Sequence, residues 1–286
     1  MTATTTRRTG EMHDANRRSW DYNEMHDANR RSWDYNAGSW AEMRDRDGLW
    51  RLCPEEPELG FSGGAYELIG SLAGSMEGKE VAVIGSGDNY AVFALSGMKA
   101  KVTSIDISER QLEIASARAD QLGLAIDFVR ADATDLHAMA DRSFDLVCST
   151  NGFFVWIADL RAVYEEVFRI LNPGGYYVFY DVHPFQRPWA DRTMPIEIEK
   201  PYWQTGPFRD EKEGTFEFNW TMADLLNPGA DAGLVLRRIL ERPAEDSNTW
   251  EGASYRPGKD KQLVDWKVNP RAALPFWLSA AWQRPG

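Results

Sequence analysis

Between residues 80 and 182 short β-branched apolar runs alternate with longer stretches of helical spacing. The runs are EVAVIG (80–85), KVTSID (101–106), IDFV (126–129), FDLVCST (144–150) and YYVFYDV (176–182). The intervening stretches predict helices over about 88–98, 109–122 and 159–171, the second opened by a Ser108/Gln111 capping-box pattern. Strands that alternate with helices imply a parallel sheet covered on both faces, with ligands beyond the carboxyl ends of the strands. Upstream, Trp33, Ala37, Trp40 and Met43 recur at helical spacing within a predicted helix over 24–50. Prolines and glycines between Pro54 and Gly64 predict a loop, and Ala65 to Ala73 a short helix.

After residue 182 the alternation stops. Residues 183–219 place Phe185, Trp189, Tyr202, Trp203, Phe208, Phe216 and Phe218 among prolines and charges, the pattern of an insertion. TMADLLNPGADAG then predicts a helix, LVLRRILE a strand and AALPFWLSAAW a last strand, with a polar loop over about 243–271. The expected architecture is α/β: a Rossmann-like open, mostly parallel seven-stranded sheet with helices on both faces. An N-terminal helical lid and an aromatic-rich insertion after the fifth strand complete it. The sections are 1–64 (extension and lid), 65–182 (cofactor-binding core), 183–219 (substrate-side insertion) and 220–286 (completion of the sheet). One irregularity precedes all of this. EMHDANRRSWDYN at 11–23 recurs unchanged at 24–36, and two copies are too few to stack a core of their own. The second copy is expected to dock on the body, and neither His13 nor its duplicate His26 is given a catalytic or metal role.

The candidate chemistry lies at the strand tips. Gly85-Ser86-Gly87-Asp88-Asn89 follows the first strand, and Asp106 ends the second. A glycine turn lets backbone approach closely, and the N–H groups opening the next helix can hold an anion. A dinucleotide fingerprint would need a third glycine where Tyr90 stands, and the Gly-Lys-Ser/Thr of a P-loop is absent. VAVIGSGDN, SIDIS, VRADATDL, FDLVCSTNG and LNPGGYYVFYD, in this order over residues 79–182, resemble the successive motifs of class I S-adenosylmethionine-dependent methyltransferases.

The resemblance implies S-adenosylmethionine as cofactor and S-adenosylhomocysteine as product. It implies that Gly85, Ser86, Gly87, Asp88 and Asn89 pass the methionine part, and that Asp106 accepts from both ribose hydroxyls with Ile107 against the adenine. Asp132 would accept from the adenine amino group beside the Ala133 backbone, and Asn151 would stand near the transferred methyl. The chain departs from the family pattern at Val83, where an acidic residue is common, and at Asn89, where a third glycine is usual. Methyl transfer mainly requires alignment of nucleophile, methyl carbon and sulfur, so an obligatory catalytic residue is not expected. Asn151 and His183 are the catalytic candidates, each balanced by a turn or structural role. Tyr35, Trp40, Phe185 and Trp203 are the candidate lid and acceptor walls, able to hold a flat ring or an amine.

Composition narrows the partners. A net charge of −12 argues against a nucleic-acid partner. So does the Ser-Thr-Asn-Gly end of the fourth strand, where base-amino methyltransferases carry an Asn/Asp-Pro-Pro-aromatic signature. Cys53 and Cys148 have no metal-ligand spacing, and no metal is assigned. No apolar run reaches the roughly 18–20 residues of a membrane span, and MTATTTRRTG lacks the apolar core of a secretory signal. The expectation is a cytoplasmic methyltransferase of a small-molecule acceptor. An RNA or protein methyltransferase, and a non-catalytic cofactor- or partner-binding protein of the same fold, are the alternatives.

Overall fold

The structure, a computed structural model, describes residues 21–87, 90–189, 197–245 and 261–286. Its centre is a seven-stranded sheet of β1 (Glu80–Ile84), β2 (Lys101–Asp106), β3 (Ile126–Arg130), β4 (Phe144–Ser149), β5 (Leu171–Val182), β8 (Val235–Arg242) and β9 (Trp277–Gln283). The order is β3-β2-β1-β4-β5-β9-β8. The β1–β2, β1–β4, β2–β3 and β4–β5 pairs are parallel, and β9 runs antiparallel to both β5 and β8. The chain order reverses between β1 and β4, which opens a crevice beyond the tips of β1 and β4 where such sheets take their ligands. A two-stranded hairpin, β6 (Phe208–Arg209) and β7 (Phe216–Glu217), lies within the insertion.

Alternation along the strands splits the apolar side chains between two cores. Ala82, Ile84, Tyr177, Phe179, Leu278, Ala280 and Trp282 enter one, and Val81, Val83, Val178, Tyr180, Trp277 and Ala281 enter the other. The first core is covered by α5 (Leu160–Ile170) and α6 (Met222–Asp231), the second by α2 (Ala65–Leu68), α3 (Tyr90–Gly97) and part of α4 (Glu109–Leu122). The insertion contributes Phe216 and Phe218 to the first core, so two of its aromatic residues are packing groups.

Local chemistry fixes the helix ends. α1 (Tyr22–Asp47) starts where Asp21 accepts from Asn23 N–H at 2.9 Å and stops at Gly48, whose φ of 67° favours glycine. α6 carries a complete capping box between Thr221 and Asp224. The expected box on α4 is half made: Ser108 Oγ accepts from Gln111 N–H at 3.2 Å, but Ser108 N–H donates to Asp106 Oδ1 at 2.8 Å. The donor that the Gln111 side chain would have taken is already used by the β2 carboxylate. The fifth strand also begins five residues earlier than expected. Asn172-Pro173-Gly174-Gly175, expected as a turn, runs inside β5, with a register shift between the Phe144 and Leu146 pairings.

Cys53 and Cys148 are both buried at 0% exposure. Burial pushes each thiol up to about 12, with Asp47 adding to the rise at Cys53. The thiolate is the reactive form, and at pH 8 it amounts to about one part in 10⁴ of such a thiol. Iodoacetamide should therefore leave both cysteines unmodified in the native protein and label both in denaturant. Mass spectrometry reads the result, and fast native labelling of either residue contradicts the burial.

Candidate active site

Residues beyond the tips of β1, β2 and β4 enclose a cavity of about 450 Å³. Its floor is the glycine turn, with Gly85 at φ 60° and Gly87 at φ 49°. The turn is stitched to β2. Ser86 N–H donates to Ile105 C=O at 3.0 Å, and the Ser86 and Ser104 hydroxyls are 2.7 Å apart. Gly87 N–H donates to Asp106 Oδ2 at 2.8 Å. The reason for Gly85 is specific: a Cβ there would lie 2.3 Å from the Phe153 ring, so this glycine makes room for the loop after β4. At Gly87 the nearest atoms to a Cβ are Asp106 Oδ2 and Gln111 Oε1, both at 3.9 Å.

Gly85, Ser86, Gly87, Asp106, Ile107, Asp132, Ala133 and Asn151 all line this one cavity, which also takes Gly152 and Phe153. Asp88 and Asn89 lie outside the described residues. The two Asp106 carboxylate oxygens accept from the backbone N–H groups of Gly87 and Ser108, which holds the carboxylate at the mouth of β2. Gln111 Oε1, beside it, is buried without a hydrogen-bond partner, which suits a donor from a ligand. These residues fit a ribose-bearing cofactor. Val83, where an acidic side chain is usual, is fully buried in the second core.

Asp132 is held from two sides. Its Oδ1 accepts from Thr134 N–H at 2.9 Å and from the Thr134 hydroxyl at 2.7 Å, and its Oδ2 faces His26 Nδ1 at 2.8 Å. Ala158 N–H donates to His26 Nε2 at 3.2 Å. A backbone N–H can only donate, so Nε2 is the acceptor and Nδ1–H donates to Asp132. Burial alone would raise the Asp132 carboxyl, but the hydrogen bonds from His26 and Thr134 outweigh it and hold it below its ordinary value.

His26, Asn29 and Trp33 arrive on the second copy of the repeat, and Trp40 and Arg44 follow it on the same helix; all five line the cavity. Asn29, 3% exposed, exchanges both hydrogen bonds with the Phe216 backbone (Nδ2 to C=O 2.9 Å, N–H to Oδ1 2.8 Å). Farther along, Ser108 Oγ donates to Asp34 Oδ1 at 2.7 Å, an Arg118 amino group donates to the Ala41 carbonyl at 3.0 Å, and the Tyr90 hydroxyl donates to Asp47 at 2.7 Å. α1 therefore roofs the cavity, bonded to it along most of its length. The signal was present in the sequence, since positions 26, 29, 33, 40 and 44 fall on one helical stripe.

Other candidates are placed elsewhere. Tyr35 is 88% exposed on α1, and Trp203 is 70% exposed, packed edge-on against Tyr202. Phe185 packs on His183 and Tyr202 and does not line the cavity. His183 is fully buried outside it. Its Nδ1 accepts from Phe185 N–H at 3.1 Å and its Nε2 meets Glu241 Oε1 at 2.8 Å, so both ring nitrogens are spent on structure. Burial lowers its pKa, against the opposing pull of Glu241. The loop carrying Asn151 is set instead by Asp181, a 2%-exposed carboxylate that accepts from Gly152 N–H and Phe154 N–H, each at 3.2 Å. Burial raises this carboxyl, and Arg187 together with those N–H donors counters the rise. Asp181, Arg187 and Glu217 were not singled out by the sequence.

A crevice at a chain-order reversal, a glycine turn and a strand-end carboxylate define a nucleoside-cofactor site in an open α/β sheet. Comparison with known proteins then fixes the kind. Residues 82–179 match a family described as "Methyltransferase domain". The ubiquinone/menaquinone biosynthesis C-methyltransferase UbiE of Bartonella tribocorum is 33% identical over 115 residues, 39% of this chain and 44% of that protein. The arsenite methyltransferase of Aquipseudomonas alcaligenes is 32% identical over 135 residues, 44% of this chain and 37% of that protein. The chain thus spans less than half the length of these curated relatives. An S-adenosylmethionine-dependent methyltransferase from Mesorhizobium loti superposes with a TM-score of 0.57 at 22% identity, over 78% of this chain and 98% of that one. The structure described as the [4+2]-cyclase SpnF superposes with a TM-score of 0.53 at 17% identity, over 77% and 79%. Residues 82–179 are a class I S-adenosylmethionine-dependent methyltransferase domain, and S-adenosylmethionine is the cofactor of such a domain.

Replacing His26 by alanine should destabilise the protein by about 1–3 kcal/mol, because Ala158 N–H and one Asp132 oxygen lose their partner under the roof. Urea unfolding measures this. The Asp132 contribution has a defined pH sense. A depressed carboxyl stabilises the fold above its unfolded value of about 3.9 and loses that contribution as pH falls through the lower folded value. The stability gap between wild type and Asp132→Asn should accordingly close between about pH 4 and pH 2; a gap constant across that window contradicts the assignment.

Proposed function

We propose that the protein transfers a methyl group from S-adenosylmethionine to a small-molecule acceptor. The observation that carries this reading is the convergence of four separate sequence motifs on a single cavity of about 450 Å³ that Trp33, Trp40 and Trp156 also line. The curated relatives support a small acceptor, since their names specify methylation in quinone biosynthesis and of arsenite.

Bound S-adenosylmethionine supplies a methyl group on a sulfonium, whose departing thioether needs no acid. The protein's tasks are binding, alignment and exclusion of water. Asp106 is the proposed ribose acceptor, held in place by the N–H groups of Gly87 in the turn and Ser108 at the start of α4. Asp132 is the proposed partner of the adenine amino group, held ionised and in position by His26 and Thr134. Asn151 and Gly152 stand beside the reacting region, on backbone positioned by Asp181. α1 covers the cavity, so its bonds to the body set how well water is excluded.

Calorimetric titration with S-adenosylmethionine, S-adenosylhomocysteine and NAD tests the reading. The first two should bind and NAD should not; the reverse order overturns it. Asp106→Ala should weaken S-adenosylhomocysteine by about 10²-fold or more, since hydrogen bonds to a charged acceptor contribute about 1.5–3 kcal/mol each. Unchanged affinity would remove Asp106 from the site.

A further inference from the structure

Beyond the motif residues, the cavity is lined by aromatic and cationic groups. Trp33, Trp40 and Trp156 meet there, with Trp33 centroids 5.8 Å from Trp40 at 34° and 5.4 Å from Trp156 at 81°. The same three indoles bound a second cavity of about 320 Å³ between α1 and the turn carrying Glu213 and Thr215. Arg44 and Arg187 line the first cavity, and Arg46 lines the second. Acids share both linings, Asp106, Asp132 and Glu217 in the first and Glu213 in the second.

Arg187 is the informative residue. Its side chain is 27% exposed, and among the described residues its one ionic contact is NH2 to Asp181 Oδ1 at 3.5 Å, with no hydrogen bond from its five donors. Asp181 already gives its oxygens to Gly152, Val182 and Phe154 N–H groups, so it does not satisfy the guanidinium. Lys200 stands close enough to feel the same charge. Its ammonium is buried without a hydrogen-bond partner, 4.2 Å from the Phe208 ring centroid. Burial first, and Arg187 second, pull it down to about 8, against Glu199 and Glu217. Two neighbouring cations with unspent donors call for an anion. Glu217 also lines the cavity, and Glu213 beside the second cavity accepts from Ser32 and Asn36; among the described residues neither acid is paired with Arg187.

We propose that the acceptor is a planar, largely apolar molecule carrying a carboxylate, with the carboxylate on Arg187 and the flat body against Trp156, Trp33 and Trp40. The guanidinium fork matches a carboxylate in two parallel hydrogen bonds, and the indole faces suit a conjugated ring. The second cavity gives room for a body longer than one ring. A cationic amine, the other ligand that aromatic walls suit, meets Arg44 and Arg187 here. The inference rests on the methyltransferase reading of this cavity.

The test uses the full chain saturated with S-adenosylhomocysteine. Benzoate, cinnamate and 2-naphthoate are titrated beside their amides, with phenyltrimethylammonium as the cation, by calorimetry and tryptophan fluorescence. The acids should bind at least tenfold tighter than the amides, with the cation weakest. Arg187→Gln should erase the acid-over-amide preference and Arg187→Lys should keep part of it, whereas Trp156→Leu should weaken acids and amides alike. Equal affinity of acid and amide, preference for the cation, a preference that survives in Arg187→Gln, or no binding of any acid at about 10 mM each overturns the proposal. Should Arg187→Gln fail to fold, the acid-to-amide ratio of the wild type decides alone. Failure of S-adenosylhomocysteine to bind overturns the methyltransferase reading; its binding without an acid preference overturns only this inference.

Discussion

The Asp106 carboxylate is the constraint on which the site's geometry depends. One oxygen takes the N–H of Gly87 in the turn after β1, and the other takes the N–H of Ser108 at the start of α4. Three pieces of backbone that are distant in sequence, the β1 turn, the β2 tip and the α4 N-terminus, are thereby fixed relative to one another. An ionised acceptor suits this position, because charge-assisted hydrogen bonds are about twice as strong as neutral ones. The arrangement explains why the α4 capping box is incomplete: the strand-end carboxylate has displaced the glutamine that would have closed it. It also leaves Gln111 Oε1 without a partner in the protein, at the place where a ligand hydroxyl or ammonium could supply one.

A second set of contacts roofs what the first set builds. α1 brings a histidine to Asp132 and an asparagine to the Phe216 backbone, and both contacts replace hydrogen bonds that buried groups would otherwise lack. Leaving such groups unpaired costs more than making the bond gains, so α1 is held to a definite position. The insertion hairpin is drawn into the same network, because Phe216 is part of β7 and Phe218 N–H donates to Val155 C=O at 2.7 Å. The roof and the β4 loop are therefore joined through buried polar contacts, and the tryptophans of both meet where an acceptor would enter.

Much of this was legible in the sequence, and the limits are physical. Strand and helix periodicity located β1 to β4, and the glycine turn with its strand-end carboxylate picked out residues that the structure brings to one cavity, because these signals are local. The long-range groups were not legible. His26 reaches Asp132 across 106 positions and Asn29 reaches Phe216 across 187, and no local pattern encodes such pairings. The exact repeat added an ambiguity of its own, since His13 and His26 sit in identical sequence contexts. His183 illustrates the converse error. A histidine after the fifth strand reads as a proton carrier, but Glu241 on β8 and its own loop consume both nitrogens.

Polar groups with capacity to spare stand at two places around the cavity. Beside Asp106, Gln111 Oε1 is buried without a hydrogen-bond partner. In the proposed acceptor region the indoles are half-buried and the Arg187 guanidinium holds its donors in reserve. Buried polar groups without partners are costly, and a fold tolerates them where a ligand completes the set. A neighbour of the same fold is described as a cyclase, so the sheet and its glycine turn do not dictate the reaction. Under the proposed reading, Arg187 and the tryptophans that line the same cavity set its selectivity, which then favours a molecule that brings an anion and a flat face together.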